Sequence, residues 1–164
     1  MKTLLIVRHA KSSWEDPSLS DHDRPLLPVG KKKTKRIVKF LKKKQVKPDL
    51  LLSSSALRAF ETAKIIAQGI NYSEDQIIKE PNLYHASSDE IYSELYGLPD
   101  DINSVMIFGH NPTLTYFVNY FVSPTIENLP TSGVVSFNFD CDKWGQINDS
   151  SFHVNLVVFP RMLK

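Results

Sequence analysis

The sequence predicts an α/β protein, one domain over residues 1–164 with three α/β/α layers around a mixed, mainly parallel sheet. Three observations predict it. Short apolar runs at residues 2–7, 50–52 and 105–108 have the length and composition of strands buried on both faces. Segments between and after them repeat their apolar residues at helical spacing. The two kinds alternate along the chain, the order that parallel strands joined by crossover helices require.

The elements follow in order. Residues 2–7 form the first strand, and a polar stretch with Pro17, Pro25, Pro28 and Gly30 leads to a helix at about 31–45. Ile37, Phe40 and Leu41 give that helix an apolar stripe under a strongly basic outer face. Pro48-Asp49 opens the strand Leu50-Leu51-Leu52, and three serines then precede a helix striped by Ala59, Ala63, Ile66 and Ile70. Ile77-Ile78 is a short strand. Ser87 and Glu90 have capping-box spacing ahead of Ile91, Leu95 and Leu98. Val105 to Phe108 is a further strand. Asn111 caps a helix with Pro112 in its first turn and Leu114, Phe117, Val118 and Phe121 facing the core. Val134 to Phe139 and Val154 to Phe159 close the sheet.

Composition narrows the functional classes. No apolar run approaches the roughly 18 residues that span a bilayer, and the apolar stretch before Arg8 is too short for a signal peptide. No membrane partner is expected, and the location expected is cytoplasmic. The single Cys141 lies between Asp140 and Asp142, which disfavour a thiolate, so it reads as structural and suits a reducing compartment. Lysines and arginines crowd residues 31–47 without interleaved aromatics outside the apolar stripe, so a solvated helix face is favoured over a nucleic-acid surface. No pair among His9, His22, His85, His110 and His153 has the spacing of a helical zinc motif, so neither metal nor cofactor is expected.

The chemistry gathers where strands end. Open α/β sheets bind ligands at the carboxyl ends of their strands. The first strand runs into Arg8-His9-Ala10-Lys11, the second into Ser53-Ser54-Ser55-Ala56-Leu57-Arg58, and the strand at 105–108 into Gly109-His110-Asn111-Pro112. Singly each is commonplace: an Arg-His pair after a strand, an arginine in a helix's first turn, a histidine beside a cap. At equivalent strand ends they form a set suited to a phosphoryl group. Guanidiniums present paired donors to its oxygens. A neutral imidazole offers a nucleophilic nitrogen, and neighbouring cations help to keep it neutral.

The Arg8-His9 pair resembles the signature of the histidine phosphatase superfamily, also called phosphoglycerate mutase-like. Leu5 to Trp14, Asp23-Arg24-Pro25-Leu26, Ser53 to Ala63, Leu83-Tyr84 and Gly109-His110-Asn111-Pro112 look like its SixA-type branch of small phosphohistidine phosphatases. The resemblance implies His9 as a transiently phosphorylated nucleophile and Arg8, Arg58 and His110 as the phosphate pocket. It adds Ser13 as a hydroxyl donor and Asn111 as a brace for the His110 loop. Arg24 is either at the pocket rim or in a loop-ordering ion pair.

Two departures accompany the resemblance. Ala10 stands where the family commonly has glycine, and no carboxylate is assigned as general acid. Glu80, Asp89 and Glu90 are weak candidates, the last two being explained as helix-start residues. The substrate expected is a phosphoprotein bearing phosphohistidine. The alternatives are a phosphomonoesterase or mutase on a small phosphorylated metabolite and, in another class, a non-catalytic phosphate-binding module.

Overall fold

The structure, a computed structural model, describes residues 1–164. Its elements run β1 (Lys2–Arg8), α1 (Pro28–Lys43), β2 (Leu50–Ser54), α2 (Leu57–Gly69), β3 (Ile78–Glu80), α3 (Ser88–Tyr96), β4 (Ser104–Gly109), α4 (Thr113–Asn119), β5 (Val134–Phe139) and β6 (Phe152–Val158). They build one sheet in the order β3-β2-β4-β1-β5-β6. The pairs β3–β2, β2–β4 and β4–β1 are parallel, while β5 and β6 add on antiparallel. The sheet is therefore mixed and mainly parallel, as expected. No helix is long and apolar enough to cross a membrane.

Side-chain alternation along each strand explains the layers. Leu5, Val7, Leu51, Met106 and Phe108 point to one face, where they meet Ile37 and Leu41 of α1 and Ala59, Ala63 and Ile66 of α2. Leu4, Ile6, Leu52, Val105 and Ile107 point to the other, against Ile91 and Leu95 of α3 and Leu114, Phe117 and Val118 of α4. Both sets are buried, and each such side chain contributes roughly 1.5–3 kcal/mol by leaving water.

Some boundaries differ from expectation for identifiable reasons. The first helix runs 28–43 rather than 31–45. Pro28 occupies its first position, where no N–H is required. Gly30 belongs to the first turn because the helix presses on the preceding loop: a Cβ there would lie 2.4 Å from the Lys11 carbonyl oxygen. Ser87 does cap α3, accepting from the Glu90 N–H. Asn111 lies one residue before the N-cap position of α4, which Pro112 occupies, yet its Oδ1 accepts from the Thr115 N–H.

The register levels one edge of the sheet. Arg8 pairs with Gly109, and Ser53 pairs with Phe108, so the carboxyl ends of β1, β4 and β2 finish level and side by side. The crossover through α1 covers one face and α3 covers the other. The adjacent ends of β2, β4 and β1 thus lie where the winding changes sides, the usual crevice of such sheets.

Candidate active site

The site begins with His9, 8% exposed at the end of β1. Its Nδ1 lies 2.7 Å from the Ala10 carbonyl oxygen. A carbonyl only accepts, so Nδ1 carries the proton and Nε2 keeps its lone pair. Burial, opposed by that carbonyl and reinforced by Arg58, Arg8 and Arg24, lowers the His9 pKa to about 4. The imidazole is neutral at physiological pH. Thr62 Oγ1 fixes the loop carrying it by accepting the Ala10 N–H at 2.9 Å. Thr62 sits one helical turn beyond Arg58, whose carbonyl takes its hydroxyl proton.

His110 stands beside it, with ring centroids 5.2 Å apart. Its Nε2 is 2.7 Å from Ser54 Oγ, which also accepts the Ala56 N–H. When the Ser54 hydroxyl donates to Nε2, Ser54 and Nε2 are both satisfied and Nδ1–H is left as the free donor. Burial, then His9 and Arg58, lower the His110 pKa to about 3 against the opposing pull of Asp21. His110 is thus also neutral.

The arginines are held from behind. Arg8 Nη1 donates to the Leu129 carbonyl, which also accepts from Asn111 Nδ2. Asn111 thereby ties the loop after β4 to the segment before β5. Arg58 Nη1 donates to the Asp21 carbonyl and Nη2 to its carboxylate, at 2.7 and 3.0 Å. The Tyr84 hydroxyl donates to the same carboxylate at 2.7 Å, and Arg24 approaches its other oxygen at 3.1 Å. Burial would raise the Asp21 pKa, but Tyr84, Arg58 and Arg24 outweigh it and hold it at about 2. Arg24 also donates to Ser12 Oγ and stacks on the exposed Trp14 ring, 3.5 Å from its centroid. It both lines the rim and orders the loop, so the two readings of Arg24 coexist.

Four buried side-chain polar atoms in the chain lack a hydrogen-bond partner, and three of them are Arg8 Nε, Arg58 Nε and His110 Nδ1. An unpaired buried donor costs about 1–3 kcal/mol. Three of them on neighbouring residues describe a socket for an anion rather than a packing fault.

Two depressions share Arg58, His110 and Asn111. One, of about 350 Å³, is walled by Arg8, His9, Lys11, Ser12, Trp14 and Arg24. The other, of about 320 Å³, has an apolar half and is walled by Leu83, Tyr84, His85, Pro112 and Leu114. No carboxylate lines either. Glu80 caps its own one-turn helix through the Asn82 N–H, and Asp89 and Glu90 occupy the first turn of α3. The Ser13 hydroxyl turns back to accept the Glu15 N–H, and Ser12 takes the wall position instead. No three histidine, cysteine or carboxylate side chains converge as metal ligands would.

Sequence reasoning brought together Arg8, His9, Arg58, His110 and Asn111, but missed Asp21, Ser54, Thr62 and Tyr84 as their supports. Strand parity carried a signal for Ser54, which shares a face of β2 with Leu52 and so points toward the α4 side. Asp21 and Arg24 had i,i+3 spacing. Nothing local indicated that both would meet Arg58.

A buried, neutral imidazole with a free nitrogen beside unpaired guanidinium and imidazole donors, at the carboxyl edge of an α/β sheet, defines the class: an enzyme that handles phosphoryl groups. The model of the histidine phosphatase superfamily (branch 1) matches residues 4–91, and the chain belongs to that superfamily. An uncharacterized chloroplastic protein of Arabidopsis thaliana is 36% identical over 120 residues; the match takes in 67% of this chain and 54% of that one. A structure from Agrobacterium tumefaciens, assigned as the phosphohistidine phosphatase SixA, superposes with a TM-score of 0.81 at 25% identity, covering 97% of this chain and 98% of that one. The protein histidine phosphatase SixA in complex with tungstate shares the fold, with a TM-score of 0.82, 24% identity and 99% coverage of both chains.

Proposed function

We propose that this protein is a metal-independent phosphatase that dephosphorylates phosphohistidine in proteins through a phosphorylated His9. In this reading Nε2 of His9 attacks phosphorus in line with the leaving nitrogen. The phosphorus–nitrogen bond to the substrate breaks, its electron pair returns to the leaving imidazole, and that imidazole departs with a proton it already carries or takes from water. Arg8, Arg58 and His110 Nδ1 hold the equatorial oxygens while charge redistributes over them. Water then attacks the phosphohistidine, His9 Nε2 recovers its lone pair, and inorganic phosphate leaves. Nδ1–H stays on the Ala10 carbonyl throughout. Asn111 positions the His110 loop and Ser13 shapes the loop backbone. The enzyme works in the cytoplasm.

One observation carries the choice of substrate: the socket has three unpaired donors but no carboxylate along either wall. Expelling an alkoxide calls for a proton donor, whereas imidazole is a good leaving group because its conjugate acid has a pKa near about 6.5. Glu80, Asp89 and Glu90 are turned to helix starts. A small phosphorylated metabolite is the second reading, favoured by the partly apolar cavity between Leu83, Tyr84 and Leu114, which has room for a compact leaving group.

The test is kcat/KM for a phosphohistidine protein against a sugar phosphate at one pH. Phosphohistidine should be preferred by at least about tenfold, the scale of a lost acid. Equal or better turnover of the sugar phosphate would reject it in favour of the metabolite.

A further inference from the structure

The exposed face of α1 has no role in the fold or in the chemistry above. Ten of the chain's twenty lysines and arginines lie between Lys31 and Lys47, and no acidic residue occurs between Asp23 and Asp49. Lys31, Lys32, Lys35, Lys39, Lys42 and Lys43 are exposed, while Thr34, Ile37, Val38 and Leu41 are buried on the opposite side. At spacings of three and four, the lysines form a stripe about 18 Å long. None of them is in an ion pair: the chain's salt bridges all lie among residues 21–24 and Arg58.

This arrangement costs stability. Like charges one turn apart disfavour a helix by a few tenths of a kcal/mol per pair. Cations in the first turn also oppose the helix dipole. Glutamine or glutamate would serve the fold better, so the stripe answers to something outside it.

Its position says what. The N-terminal end of α1 is built into the catalytic loop. Gly30 abuts the Lys11 backbone, and Thr34 Oγ1 is 2.9 Å from Ser132 Oγ. The Ser132 N–H in turn donates to the carbonyls of Arg8 and His9. Lys31 and Lys32 therefore follow directly on the residue that abuts the Lys11 backbone, with Lys35 one turn further on, and the exposed Lys11 is itself on the wall of the His9 depression.

We propose that this lysine stripe is a docking surface for the acidic face of a protein substrate, which it holds so that a phosphohistidine on that face enters the His9 depression. The inference rests on the proposed substrate and adds the chemistry of the surface around it. A protein partner fits better than the other anionic surfaces. The exposed lysines are point charges without guanidinium forks, and Phe40 is half-buried under Lys44 rather than free to stack on bases. The apolar side of α1 is spent in the core, which leaves none to enter a membrane. Clustered carboxylates match lysine charges without stacking or insertion, and steering by such fields raises association rates.

Two phosphohistidine peptides of equal length test it, one flanked by glutamates and one by serines. At about 20 mM salt the wild type should turn over the acidic peptide about tenfold faster in kcat/KM, and about 0.5 M salt should erase the preference. Combined Lys31→Glu, Lys32→Glu and Lys35→Glu should abolish it, with phosphoramidate hydrolysis unchanged. A preference that survives in the variant overturns the proposal, and so does an equal loss on phosphoramidate. Should neither peptide be hydrolysed, the substrate assignment fails separately. Docking is then decided by fluorescence anisotropy with the unphosphorylated acidic peptide: weaker binding to the variant supports it. Equal binding overturns it, as does selective binding of an RNA of the same net charge.

Discussion

The two walls that meet at His110 are built on different principles. On the His9 side the three arginines and the imidazole are each anchored by a charged or hydrogen-bonded partner: Arg58 and Arg24 by Asp21, Arg8 by Leu129, and His9 by Ala10. On the Tyr84 side the wall is largely ring and aliphatic surface, with Tyr84 packed on His85 at 4.0 Å and Leu83 and Leu114 behind. In the proposed reaction the first wall fixes the place and charge of a phosphoryl group. The second offers shape but no acid. The chemistry of the transferred group is therefore strictly specified, whereas the group it leaves is constrained mainly by its own leaving ability.

Substitutions on the two sides should separate accordingly. The largest effect belongs to His9→Ala, expected to lower kcat/KM by at least about 10³-fold on every substrate with the melting temperature little changed. Brief exposure to labelled substrate should label His9 in the wild type, and undiminished turnover by the variant would end the nucleophile assignment. Asp21→Asn comes next. It removes charge from the carboxylate that aims Arg58 and Arg24, so kcat should fall about 10- to 100-fold on phosphoramidate and aryl phosphate alike. A change confined to KM would show that Asp21 acts only on loop order.

Ser54→Ala should cost about tenfold by freeing the His110 ring to adopt its other tautomer. Ser54→Thr, which keeps the hydroxyl, should restore most of the rate if packing admits the methyl group. Acid is a gentler probe. Because the His9 pKa is lowered to about 4, its lone pair remains available as pH falls through 6, and kcat/KM should decline only near pH 4. Stability follows with a definite sign. The unfolded chain binds protons on these histidines below about 6.5, and on Asp21 below about 4, before the native state does. Stability from His9 and His110 should thus erode as pH drops from about 6.5 toward 4, with that from Asp21 following toward 2, visible as a falling melting temperature. The smallest effect is expected for Ser13→Ala, under about twofold in kcat/KM, since its hydroxyl serves a local turn.

How much of this was legible in the sequence follows the same division. The buried strands and their helices were readable because apolar runs at 2–7, 50–52 and 105–108, and helical spacing between them, are local signals. The strand ends that carry Arg8, His9, Arg58 and His110 came with them. The loop between Lys11 and Leu27 was not readable. It has prolines and isolated one-turn structure rather than a period, and Asp21 acquires its role only through partners 37 and 63 residues away in sequence. The general acid illustrates the converse. The sequence already explained Asp89 and Glu90 as helix-start residues, whereas the cap that Glu80 makes on the Asn82 N–H and the absence of all three from the socket walls needed the structure.

That same loop is stapled where it begins and ends. The Leu27 N–H reaches the Lys11 carbonyl, the Ser13 N–H reaches that of Pro25, and Ser12 bridges Leu26 between them. Within that loop Asp21 is tied to Arg58 and Tyr84, His22 to Ser55 and Arg24 to Ser12, whereas Glu15 to Ser20 is exposed and hydrogen-bonded only to near neighbours in the chain. The stretch from Glu15 to Ser20 is a replaceable cassette in consequence. It can be lengthened, shortened or exchanged to recruit a different cargo, while His9 a few residues away keeps its place.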